Sequence, residues 1–161
     1  MTVHFTKKSM LGESLREMIQ VAEYCINYRK EVHPEIWKGQ RGCYGYPAAL
    51  VLLVIVNSIG KEIERGGDDT SRNFNVLNNK DYYNLNLSPD LVEKIVKFYR
   101  HKLAHEGVIG DWDRSGSDDI SMIPGVESGP VFRKINFGYQ LNLKAFLNVS
   151  KKALEKFLDS I

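Results

Sequence analysis

Pro47-Ala48-Ala49-Leu50-Val51-Leu52-Leu53-Val54-Ile55-Val56-Asn57-Ser58-Ile59-Gly60 is the stretch on which the fold turns. Proline fixes φ and lacks an N–H, so Pro47 suits the first turn of a helix, where that donor has no partner anyway. The spacing predicts a helix from about residue 47 to residue 65. It is apolar nearly all round at its start, as a helix at the centre of a core should be. The unbroken apolar run covers only Ala48 to Val56 and stops at Asn57 and Ser58. A membrane span needs about 20 such residues, so the reading is a buried core helix with no membrane partner. Gly66-Gly67 marks its end.

The flanking segments supply what this helix packs against. Leu11, Leu15, Met18, Ile19, Ala22, Cys25 and Ile26 recur at three-and-four spacing. They predict a helix over residues 10 to 30 with Ser9 as its cap. Between the two helices, His33-Pro34 and residues 38–46 read as a loop punctuated by glycine. A short helix is expected after Thr70, limited by the asparagines around it. Ser88-Pro89 then gives a cap and a first-turn proline. Leu91, Val92, Ile95, Phe98, Tyr99 and Leu103 form the buried side of a helix stopping near Glu106-Gly107.

Residues 107–130 change character, with five glycines and a run of aspartates, and read as a mobile loop or irregular insertion. Near-alternation of apolar residues over 131–143 predicts a short strand, paired with Ile120 to Ile123. A last helix carries Leu143, Phe146, Leu147, Val149, Leu154, Phe157 and Leu158. The architecture expected is mostly α, a single domain over residues 1–161: four or five helices with a small β-hairpin before the last one, and the irregular insertion at about 107–142.

Composition narrows the class. The chain has 161 residues, 43% hydrophobic and 26% charged, which is ordinary for a globular domain. Its 22 basic and 20 acidic side chains exclude a polybasic nucleic-acid coat but leave room for a local basic pocket. The start, Met1 to Lys8, has no apolar core behind its lysines and does not read as a secretory signal. Cys25 and Cys43 are the only cysteines and have no histidines at metal-ligand spacing. The expectation is a reduced, cytoplasmic protein without a cofactor.

One segment concentrates chemistry: Arg100-His101-Lys102-Leu103-Ala104-His105. Cations in a last helical turn complement the helix dipole and cover its carbonyls, and Gly107 closes the end. The same residues have a second reading. Arginine offers a planar fork for two phosphate oxygens, and histidine exchanges a proton near neutral pH. Together they suffice to cleave a phosphodiester through an internal nucleophile such as the 2′-hydroxyl of RNA. In a straight helix, five residues at about 100° each set Arg100 and His105 roughly 140° apart. Either the helix ends in a bend or a second copy of the chain completes the site.

The segment Tyr99 to Glu106 resembles the signature of the HEPN superfamily: an arginine, a polar residue, variable positions, then a histidine. Arg100 matches the arginine, His101 the polar position and His105 the histidine. The entry Gly45-Tyr46-Pro47 and the ending Val56-Asn57-Ser58-Ile59-Gly60 of the apolar helix are similar to the helix before that motif in small prokaryotic members. The resemblance covers residues 10 to 106. It implies a HEPN-like bundle and a metal-independent endoribonuclease, acting as a homodimer on an RNA substrate. Toxin or phage-defence roles occur in the superfamily, and an antitoxin partner goes with the former. Arg100 and His105 would then be catalytic, and His101, Lys102 and Asn57 would touch substrate. Other members are non-catalytic nucleotide-binding or protein-interaction modules that dimerise, and that alternative stays open.

Each candidate also has a plainer role. Asn57, interrupting an apolar helix, can satisfy a polar group at a helix–helix contact. His101 and His105 share a face at i, i+4, but no carboxylate motif accompanies them, so no metal site is assigned. Lys38, Arg41 and Tyr44 can touch a nucleic-acid backbone or base, or merely dress a loop.

Overall fold

The computed structural model describes residues 6–100, 120–136 and 138–161. Six α-helices and a small three-stranded sheet occupy them. Helix α1 (Lys7–Asn27) opens with a reciprocal cap: the Thr6 hydroxyl accepts from Ser9 N and the Ser9 hydroxyl accepts from Thr6 N. Thr6, one turn ahead of the expected Ser9, is therefore the cap residue. The helix also ends earlier than the expected residue 30, because Tyr28 turns extended. A single 3-10 turn (Lys30–Val32) and the short α2 (Pro34–Trp37) interrupt what reads as plain loop in the sequence.

Helix α3 (Gly45–Ile63) is the apolar stretch on which the fold turns. Ala48, Ala49, Leu52, Leu53, Ile55, Val56 and Ile59 are buried, and α1, α3 and α6 (Leu143–Ser160) pack on one another around them. Among the described residues α3 alone is long and apolar enough to cross a membrane by length and composition. In this fold its inner face is the floor of the core. Phe74, Phe146 and Phe157 fill the remaining interior.

Past α3 the chain turns at Gly66-Gly67 into α4 (Thr70–Asn73), whose cap is Asp69, and a 3-10 turn over Phe74–Asn78. Helix α5 (Pro89–Lys97) starts as expected, with the Ser88 hydroxyl accepting from Leu91 N. It buries Leu91, Val92, Ile95 and Val96. At Phe98–Tyr99–Arg100 the helix widens into a π turn, so α geometry ends at Lys97, before the motif begins.

The region before α6 differs from the expected single strand and hairpin. The stretch 131–143 splits at a turn into β2 (Phe132–Ile135) and β3 (Gly138–Asn142), which pair antiparallel. Strand β1 (Ile120–Ile123) lies on the other side of β3 and runs parallel to it, giving the order β1-β3-β2. Gly138 at φ +111° explains the split, since few side chains tolerate that backbone between two strands. The last strand flows directly into α6, whose first turn is capped by Asn142 accepting from Ala145 N.

Gly60 marks the tightest contact in the core. A Cβ placed there would run into the backbone carbonyl of Asn73, so α4 docks on α3 only because that position carries no side chain. Gly60→Ala should lower stability by about 1–3 kcal/mol through overpacking, against a small helix-propensity gain. Urea unfolding of the two proteins checks it, and an unchanged midpoint would show that α4 can shift freely.

Candidate functional site

Arg100 is the one residue of the Arg100–His105 motif that the described structure contains. His101, Lys102 and His105 lie outside the described residues. Arg100 is exposed, in the π turn that follows α5. No carboxylate among the described residues pairs with it. On the same helix, Lys97 pairs with Glu93 at 3.4 Å and Lys94 with Asp90 at 3.1 Å. These are one-turn surface pairs that neutralise the outer face up to, but not including, Arg100.

Behind Arg100 the chain is firmly seated. Tyr99 lies against fully buried Phe74, ring centroids 5.3 Å apart. Burial pushes the Tyr99 phenol above its ordinary pKa. Phe74 follows Asn73, which is 1% exposed and among the few buried polar side chains. The Asn73 Nδ2 donates to Asn57 Oδ1 at 3.0 Å and to the Gly67 carbonyl at 3.1 Å. Its Oδ1 is buried and has no hydrogen-bond partner, and Gly66 leaves the space that this oxygen fills.

Asn57 is therefore linked by a chain of contacts to Tyr99, the residue before Arg100. Its carbonyl oxygen faces Asn73, which carries Phe74, which carries Tyr99, next to Arg100. Sequence reasoning singled out Asn57 but missed Asn73, because the asparagines of residues 73–79 read only as helix breakers. The available signal was Gly60 and Gly66, glycines whose missing side chains leave the space that Asn73 fills.

A second cluster stands at the α1–α3 connection. Tyr28 stacks on Tyr44, centroids 4.0 Å apart, and on His33 at 5.3 Å, while Trp37 meets both tyrosines edge-on. Trp37 Nε1 donates to the Tyr28 hydroxyl at 3.1 Å, and Lys30 Nζ lies 4.7 Å from the Trp37 ring centroid. A hydrogen bond to Tyr28, with some desolvation, pushes the Tyr44 phenol up to about 12. Tyr44 is thus engaged with its neighbours, whereas Lys38 and Arg41 are exposed. Among the described residues no three His, Cys, Asp or Glu side chains gather as a metal site would require.

No family model, no curated protein and no solved structure matches the chain.

Two outcomes follow from this geometry. Asn73→Asp exchanges a donor for an acceptor opposite Asn57 Oδ1 and the Gly67 carbonyl, so it should destabilise by about 1–3 kcal/mol or more. Asn57→Ala should cost less, and denaturant melts that reverse this order would remove Asn73 as the hub. The Tyr44 phenol, raised to about 12 in the fold from about 10 in an unfolded chain, contributes stability in full below the lower value. That contribution is lost as pH climbs through the upper one. Ultraviolet titration should show late-ionising tyrosines, Tyr44 among them with the buried Tyr83 and Tyr99, and Tyr44→Phe should remove one tyrosine from that late amplitude.

Proposed function

We propose that the chain is a metal-independent endoribonuclease of the HEPN kind, acting as a homodimer on RNA. The observation that carries the reading is Arg100: an exposed guanidinium, unpaired with any described carboxylate, at the start of an arginine-to-histidine motif on a helix seated from behind. Arg100 grips two oxygens of the scissile phosphate and stabilises the charge that builds there. His105 takes the proton from the 2′-hydroxyl or returns one to the leaving 5′-oxygen. His101 and Lys102 orient the backbone. The products are a 2′,3′-cyclic phosphate and a free 5′-hydroxyl. Asn57 stands behind the site, holding Asn73.

One feature of the described residues supports this arrangement. For the dimer, Leu50, Val51 and Val54 form a stripe on α3 that the described residues only half bury. A second copy covering such a stripe gains apolar burial. The same dimer would suit a cytoplasmic toxin or defence effector restrained by an antitoxin partner.

The test is incubation of the purified chain with a mixed RNA pool in the presence of chelator. Cleavage is expected to persist. His105→Ala should lower it about 10²–10⁴-fold with folding intact. Arg100→Lys should also fail, because an ammonium cannot reproduce a two-pronged contact. Full activity in His105→Ala, or activity abolished by chelator, would remove the mechanism and leave a non-catalytic binding or dimerisation module.

A further inference from the structure

Cys25 and Cys43 are 18 positions apart in sequence, both buried, and both free thiols. The fold places them together. Tyr44 N donates to the Cys25 carbonyl at 3.0 Å, which sets the Cys43–Tyr44 peptide against the last turn of α1. That bond leaves the two cysteine Cα atoms no more than about 8 Å apart, close to the roughly 4.4–6.8 Å that a disulfide spans. Cys43 lies near enough to act electrostatically on the Cys25 thiol, raising its pKa beyond the effect of burial.

The position of the pair gives it a consequence. Residues 28–42 leave the body of the fold and return, and the neck of this excursion is drawn shut by two backbone bonds. One is Lys30 N to the Gly42 carbonyl at 2.8 Å, and the other is the Tyr44–Cys25 bond. Beyond the neck lie the exposed Val32, Ile36, Lys38 and Arg41. Lys38, Gly39 and Gly42 all have positive φ, so the excursion holds a shape that an unconstrained chain seldom adopts.

We infer that Cys25 and Cys43 form a redox-responsive clasp, which closes as a disulfide across the neck of the 28–42 excursion when the chain meets a hydroperoxide. One thiolate attacks the peroxide oxygen, the O–O bond breaks, and an alcohol or water leaves with a sulfenic acid formed. The second thiol displaces hydroxide from that sulfur, releasing water. Two thiols are oxidised by two electrons, the peroxide is reduced by two, and one S–S bond results. Burial keeps both thiols protonated at neutral pH, so closure is slow there and quickens as pH rises.

The experiment treats the reduced, folded chain with hydrogen peroxide at mildly alkaline pH, blocks remaining thiols and digests with trypsin without reductant. Cleavage at Lys30, Lys38 and Arg41 puts the two cysteines on separate peptides unless they are bridged. Expected are a linked peptide, an intact monomer lighter by two hydrogens, and a Tm raised by roughly 5–10 °C, reversible with dithiothreitol. Cys25→Ser and Cys43→Ser should each lose the linked peptide. Overoxidised thiols or intermolecular dimers in its place would overturn the clasp. So would a bridge that forms only in urea, or one that leaves the Tm unchanged or lowered. The wild-type peptide map suffices if either serine variant fails to fold.

Discussion

The contact that orders the rest of the structure is the seat of Asn73 on Gly60. A helix as apolar as α3 will bury itself against almost any amphipathic neighbour, so hydrophobicity decides that a core forms without deciding its arrangement. The missing side chain at Gly60 does decide it. Backbone meets backbone there, Asn73 Nδ2 reaches Asn57 and Gly67, and α4 can occupy one position only. From that fixed point Phe74 enters the core and supplies the surface on which Tyr99 rests.

This explains why a polar residue sits where an apolar one would bury more cheaply. Asn73 leaves its Oδ1 without a partner, which costs free energy. What it provides is directional: two hydrogen bonds that an aliphatic side chain could satisfy at neither end. A misplaced α4 would leave the Asn57 and Gly67 oxygens without their donor, so the bonds discriminate against near-native packings that hydrophobic contact alone would tolerate. Precision of this kind is passed through Phe74 to Tyr99, the residue before Arg100.

How much of this could be read from the sequence depended on whether the determinant was local. The periodicity of α1 and α6, the proline in the first turn of α3 and the Ser88 cap are written in neighbouring residues, and they place α1, α3 and α6 to within a few positions and fix the start of α5. The mostly helical class followed from them. The sheet was harder. Val131 to Leu143 alternates as a strand should, but the turn that divides it is specified by Gly138 in a positive-φ conformation, which a pattern of apolar residues does not disclose. Ile120 to Ile123 was expected as the pairing partner and lies against β3, but that the pair runs parallel is set by tertiary packing. The Asn73 hub and the Cys25–Cys43 juxtaposition were illegible for the same reason, since each joins segments that only the fold brings together. Of the candidate site, Arg100 and Asn57 were visible as residue types, while the connection between them was not.

The helix departs from α geometry at Phe98–Arg100. A π turn costs backbone hydrogen-bond quality, so it persists where something compensates. Tyr99 supplies the compensation: with Val96 and Ile95 already facing the core, the wider turn lets Tyr99 reach Phe74, and its partly buried ring gains apolar contact. Arg100, the next residue, is carried outward as a consequence, free of the Lys–Glu and Lys–Asp ladder that occupies the preceding two turns. The packing of one aromatic residue thus sets where the helix leaves α geometry, and the exposed Arg100 beside it pairs with no carboxylate among the described residues.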